Sequence, residues 1–409
     1  MKANKFIVKA LIACALIAPV MVSCSDSDKA APLYEIVVDP QLPSGYVIDS
    51  QKIEFTEINT GNVTTVTSLN NLQLPAGIYN IEATALVSET DNRAAASDQK
   101  TMRAIAQNVV ITETTRTITL DWFFYNPDNS LVISEIYLGS LNATGKGLLY
   151  DSHITIYNNT DETIYADGLA ICEGSLNNST SYPDLTPTPE ERFLVGAVYV
   201  IPGNGTQYPI EPGKSIKIVD QAIEWSADVA GAQDNRDADF EWYDEVTIGT
   251  VRDTDNPDVP NLNKWYSYSA TIWILSQQAN RSYAIARIPE GVTAESFLND
   301  YKCSYTYYFT FSEKYLTRDN QYYIPLDWII DGVNLCPAST MEFLCLPPSI
   351  DISYKSINDD PQSASDRAYR MFVRREAGKS AAGNIILQDT DDSAKDFKIV
   401  NINTKEELN

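Results

Sequence analysis

From Leu33 to about Tyr125, apolar residues recur at every second position in short runs broken by turn residues, a period that means half-buried strands. Tyr34-Glu35-Ile36-Val37-Val38, Lys52-Ile53-Glu54-Phe55, Ile78-Tyr79-Asn80-Ile81-Glu82-Ala83, Val109-Val110-Ile111 and Thr117-Ile118-Thr119-Leu120 all follow it and are rich in β-branched residues. Pro75-Ala76-Gly77 makes a turn that feeds the run at Ile78. The spacing suits a β-sandwich of about seven strands over 33–125. At roughly 100–200 residues per domain, a chain of 409 residues has room for two or three domains. Asn126-Pro127-Asp128-Asn129-Ser130 is a turn and linker cluster, and the boundary belongs there. A second unit is expected over 131–397, followed by a tail at 398–409.

Charge narrows the range of functions. The chain carries 55 Asp plus Glu against 30 Lys plus Arg, a net −25, which repels phosphate backbones and argues against nucleic acid as a partner. A single His and four cysteines outside the leader remove most His-dependent triads and most all-protein zinc sites. Those cysteines, Cys172, Cys303, Cys336 and Cys345, allow three pairings, and the sequence does not choose among them. At least two are expected to be buried thiols acting as small hydrophobes. No CxxC occurs.

The N-terminus reads as an export signal. Lys2, Lys5 and Lys9 precede an apolar run from Ala10 to Val22, shorter than the about 20 residues of a membrane span. The run ends in Met21-Val22-Ser23-Cys24, which resembles the lipobox of bacterial lipoproteins. That resemblance implies cleavage after residue 23, acylation of Cys24 and a tether over 24–32. The alternative is an ordinary signal peptide with a chance cysteine. Acyl chains contribute ~0.8 kcal/mol per buried CH₂, so two or three of them anchor a protein almost permanently. Ser25-Asp26-Ser27-Asp28 is similar to the acidic tag that sends Bacteroidota lipoproteins to the outer face of the outer membrane.

Two family resemblances follow. The 33–125 pattern resembles the prealbumin-like or immunoglobulin-like modules of surface lipoproteins. Ile133-Ser134-Glu135-Ile136-Tyr137, His153-Ile154-Thr155-Ile156-Tyr157-Asn158-Asn159-Thr160, Tyr165-Ala166-Asp167-Gly168 and Ile210-Glu211-Pro212-Gly213-Lys214-Ser215-Ile216 resemble the lamin-tail domain, an immunoglobulin-like sandwich. Thr155 stands where that family usually has Glu, so no role of that Glu transfers. With Ala238-Asp239-Phe240-Glu241-Trp242-Tyr243-Asp244 and Ser282-Tyr283-Ala284-Ile285-Ala286-Arg287, the chain is similar to a Bacteroidota lipoprotein family classed as a domain of unknown function. That likeness implies a surface lipoprotein working with an outer-membrane TonB-dependent receptor, and no established activity. The expected fold is mainly β, an N-terminal immunoglobulin- or prealbumin-like sandwich followed by an elaborated lamin-tail-like sandwich with an insertion at 225–328.

The insertion holds five of the six tryptophans: Trp225, Trp242, Trp265, Trp273 and Trp328. Trp273 and Trp328 sit in apolar runs and are expected in the core. Trp242 and Trp265 lie beside carboxylates and turn residues, which suits rings left accessible for stacking on sugars or cations. Asp239, Asp255 and Asp258 are the candidate hydrogen-bond acceptors or calcium ligands beside them. Neither acidic run fits an EF-hand, since Trp242 and Ile248 fall at positions six and twelve after Asp237, and Pro257 interrupts the second run. No cofactor is required, and calcium outside the EF-hand pattern stays open. Gly213-Lys214-Ser215 and Gly378-Lys379-Ser380 lack the first glycine of a phosphate loop, and His153 on an alternating strand reads as structural. The expected function is a non-enzymatic, membrane-anchored binding or accessory protein. A glycan-binding or adhesion protein, or a carboxylate-dependent glycan hydrolase, is the alternative.

Overall fold

The structure is a computed structural model that describes residues 32–68, 72–90, 100–115, 117–124, 130–140, 149–357, 369–380 and 382–408. The leader, Cys24 and most of the tether, together with 125–129 in the turn cluster, lie outside the described residues. The architecture is mainly β, with strands packed as sandwiches. Among the described residues no helix is long and apolar enough to cross a membrane.

Six strands from the first part of the chain form one sheet, in the order Val37–Gln41, Thr117–Phe124, Lys100–Ile111, Gly77–Glu89, Tyr46–Glu57 and Val63–Val66. Its core comes from alternate positions, Ile53 and Phe55, Ile81, Ala83, Ala85 and Val87, and Ile118, Leu120 and Trp122. Successive side chains of a strand point to opposite faces, so the period-two sequence delivers one apolar face. Leu72 and Leu74 close over that core from the segment that pairs with Leu33–Glu35.

From Leu131 onward two larger sheets face each other. One runs Phe240–Glu241, Ser215–Val219, His153–Asn158, Leu131–Tyr137, Arg370–Arg374, Phe397–Asn401 and Glu407–Leu408. The other runs Lys302–Phe309, Lys314–Ile324, Phe193–Val200, Leu169–Gly174, Ser282–Arg287 and Ile329–Asn334. Ile154, Ile156 and Ile218 of the first sheet meet Leu169, Ile171, Tyr199 and Ile285 of the second between them. The second sheet is covered on its outer face too, where Ala170, Cys172, Val198 and Ala284 pack under Phe297 and Trp328. Phe297 is carried by the helix Ala294–Asp300, started by a reciprocal cap between Thr293 and Ser296. A strand buried on both faces has no polar side to alternate with, and every residue of Phe193–Val200 is buried.

Two expectations need correcting here. Residues 225–328 are not all an insertion, because Ser282–Arg287 sits between Leu169–Gly174 and Ile329–Asn334 in the second sheet. Residues 398–408 are not a tail: Phe397–Asn401 and Glu407–Leu408 extend the first sheet, and Ile399 and Val400 are buried in it.

One cluster of buried charge centres on Arg374, whose guanidinium donates to Asp331 at 2.5 Å and to Asp389 at 2.9 Å, with Asp396 at 3.7 Å. Burial alone would lower its pKa, yet these carboxylates hold it above the usual arginine range. Arg103 reaches across from the first sheet, donating at 3.0 Å to both the Thr390 carbonyl and Asp391. Glu82 lies beside it and pairs with Lys395 at 3.1 Å.

Candidate functional site

The tryptophan pair chosen from sequence does not form a site. Trp242 is 0% exposed, with its ring 5.1 Å from that of Trp273 in the core between the sheets. Parallel pairing of Ile218 with Phe240 puts Trp242 on the same inward face, and the nearby Asp244 is buried too, accepting from the Tyr199 hydroxyl at 2.8 Å and the Trp273 N–H at 2.6 Å. Trp265 is half-buried and packs 5.7 Å from Phe297 on the opposite side of the second sheet. A sheet therefore separates the two rings. Trp273 and Trp328 are buried, as their apolar runs indicated.

The three aspartates are exposed. Asp239 accepts the Lys217 N–H at 2.8 Å, and Asp255 accepts from the Asn261 amide at 2.8 Å. At Asp258 the backbone N–H donates to Asn256 Oδ1 at 3.1 Å. Among the described residues no group of three or more His, Cys, Asp or Glu is arranged to hold a metal ion. His153 is buried against Tyr137, and burial keeps its imidazole pKa below the usual value despite Glu135 at 3.7 Å.

Accessible aromatic surface lies instead on the hairpin of Lys302–Phe309 and Lys314–Ile324, within the same 225–328 stretch. Its base is fixed. Tyr305 and Tyr307 pack with Leu185, Leu194 and Cys345, and Phe343 and Tyr182 close over them. The outer edge is partly covered, because Thr186 and Thr306 exchange both backbone hydrogen bonds at 2.9 Å and the Tyr308 N–H reaches the Pro183 carbonyl at 2.8 Å. Four residues, Thr310 to Glu313, turn the chain, with Glu313 in the left-handed region at φ 50°.

Alternation then splits the hairpin into two faces. On one, ring centroids step outward from Tyr182 to Tyr307 at 5.2 Å, to Phe309 at 6.3 Å and to Phe311 at 6.2 Å. This ladder ends in Phe311, which is 91% exposed. On the other face Tyr308 and Tyr315 meet edge to face at 5.3 Å, and the Tyr315 hydroxyl donates to Asp184 at 2.8 Å. Thr306 bonds Thr317 at 2.9 Å, and Ser304 donates to Asp319 at 2.7 Å, giving a row of exposed hydroxyls and carboxylates behind the rings. The arrangement can stack on an apolar face and hydrogen-bond at its margin. The sequence signal for this surface is Tyr305-Thr306-Tyr307-Tyr308-Phe309-Thr310-Phe311, a run of rings and threonines with no aliphatic residue.

Two buried acids stand apart from this surface. Glu173, at 0% exposure, has neither oxygen hydrogen-bonded, and burial pushes its pKa to about 7 although Arg281, Tyr283 and Trp273 lie close enough to oppose the shift. Asp220 is likewise fully buried without a partner, and burial, with Asp253 and Asp244 nearby, raises its pKa well above the normal carboxyl range.

Residues 211–404, just under half of the chain, match the family described as "Protein of unknown function (DUF4876)". Among solved structures, a DUF4876 family protein from Bacteroides thetaiotaomicron VPI-5482 is similar at 20% identity and a TM-score of 0.49, over 90% of this chain and 94% of that one. None of the curated proteins matches. The resemblance to a family of unknown function is thereby supported over 211–404.

Proposed function

We propose that the protein is a lipid-anchored, non-enzymatic binding protein of the outer-membrane surface, with the 302–324 hairpin as its contact element. The observation that carries this reading is Phe311, a large apolar ring 91% exposed at the end of an aromatic ladder whose base is locked in the core. Covering a large apolar side chain contributes about 1.5–3 kcal/mol, and aromatic rings are frequent anchors at binding interfaces. The lipobox-like Met21 to Cys24 and the acidic Asp26 and Asp28 support anchoring and outward export. The likeness to Bacteroidota lipoproteins supports a TonB-dependent importer as the partner, and the lamin-tail-like strands support a non-catalytic scaffold.

The test is a pull-down of the intact lipoprotein from solubilised outer membrane, comparing the natural chain with Phe311→Ala and Tyr315→Ala. An importer retained by the natural chain and lost from the variants supports the reading. Equal recovery by all three chains removes the hairpin from it.

A glycan ligand is the second reading, favoured by the Tyr308–Tyr315 pair beside Asp184 and the Thr306–Thr317 hydroxyls. Affinity electrophoresis in polysaccharide gels distinguishes it, since retardation that Tyr315→Ala abolishes points to sugar. Turnover of the glycan by the isolated chain would replace binding with hydrolysis.

A further inference from the structure

We propose a buried calcium site at Asp220, where the strands Ser215–Val219 and His153–Asn158 end over the core between the sheets. The register fixes the geometry. His153 pairs with Val219 and Ile154 with Ile218, and the Asp220 N–H continues the ladder to the Ser152 carbonyl at 3.0 Å. Side chains at 152, 154, 218 and 220 therefore share one face, and Ile154 and Ile218 show that it is the inward one. Both Asp220 oxygens and the Ser152 hydroxyl are buried on that face without a hydrogen-bond partner.

Other unsatisfied oxygens gather at the same strand end. Gln221 Oε1 is buried and unpartnered although its amide nitrogen donates to Asp253 at 2.6 Å. Asn235 Oδ1 is in the same condition, while its nitrogen donates to the Asp151 carbonyl at 3.2 Å.

The surrounding charge is one-sided. Asp253, Asp244, Asp151 and Glu241 all act on Asp220. Each of them is satisfied by other donors: Asp151 by Ser140 and Gln233, Asp244 by Tyr199, Trp273 N–H and Lys264, Asp253 by Gln221 and the Asp244 N–H, and Glu241 by the Ala222 and Asn256 N–H groups. Lys264 is occupied by Asp244 at 2.7 Å, which leaves Asp220 uncompensated. An ionised carboxylate buried without partner or counter-charge is among the costliest arrangements in a fold. A donor set of one carboxylate with hydroxyl and amide oxygens and no sulfur or imidazole selects a hard cation, and the flexible coordination of calcium accommodates water in the remaining positions.

The test uses the full chain, stripped with EGTA and then titrated with calcium, with magnesium and sodium as controls, while thermal unfolding is followed. At calcium about a hundredfold above its dissociation constant, the melting temperature should rise by roughly 5–10 °C. Asp220→Asn should not respond to calcium, because it removes the carboxylate that would ligate the ion. Should Asp220→Asn fail to fold, Ser152→Ala tests the same site and should weaken the calcium response. Identical melting in EGTA and calcium overturns the proposal. A full calcium shift in Asp220→Asn or Ser152→Ala overturns it equally.

Discussion

Trp242 and Phe311 are large aromatics from one stretch of chain, one sealed between two sheets and the other almost wholly in water. Trp242→Ala should cost roughly 3–5 kcal/mol, the usual loss for removing a buried ring and leaving a cavity. Phe311→Ala should change stability by about 0.5 kcal/mol or less, because no packing is lost. Urea unfolding of the two variants checks both numbers, and a large loss from Phe311→Ala would mean that the hairpin tip has a structural task. Glu173 gives the clearest dependence on pH. Its carboxyl titrates near 4.5 when exposed and about 7 in the fold, because burial disfavours the charged form. The native state therefore binds more protons between those values, and stability falls as pH rises from about 4.5 to 7, then levels off. The shift corresponds to a loss on the order of 3 kcal/mol. Glu173→Gln should flatten that part of the profile, measured as urea midpoints at pH 5 and pH 8. An unchanged difference between the two pH values would assign the titration to other groups.

Among the elements, the hairpin is the most separable. Replacing Phe309 to Lys314 with an Asn-Gly turn joins Tyr308 directly to its partner Tyr315 through a connection suited to two-residue hairpins. That variant should keep its circular dichroism and melting temperature while losing retention in the pull-down; loss of folding would show that the tip stabilises the base. The strands around Ile53, Ile81 and Ile118 were legible in the sequence because each has one wet face, so the alternation is written into the chain. Phe193–Val200 carries no such pattern, since both of its faces are dry and its register depends on neighbours distant in sequence. Ser282–Arg287 was read inside an insertion for the same reason. The exposure of individual rings was not legible. Trp242 stands among polar residues and is turned inward by pairing with a strand more than twenty residues earlier, a constraint that no local pattern records. Phe311 is exposed because it lies in the turn itself, Thr310 to Glu313, beyond the last paired residues.

Across the molecule, the six-stranded sheet and the larger sandwich meet through polar contacts at Arg103 and Glu82. Such contacts couple two units without merging their cores. Arg103→Ala should leave both cores intact and separate their calorimetric transitions; an unchanged trace would mean that the units are joined elsewhere. The sandwich itself is layered around one central element. Phe193–Val200 pairs with Leu169–Gly174 along one side and with Asn263–Ser267 and Lys314–Ile324 along the other, beneath apolar cover above and below. Its amide protons have no local route to solvent. In deuterium oxide they should be the last to exchange, at a rate set by unfolding of the whole sandwich, while those of Thr310 to Glu313 exchange first.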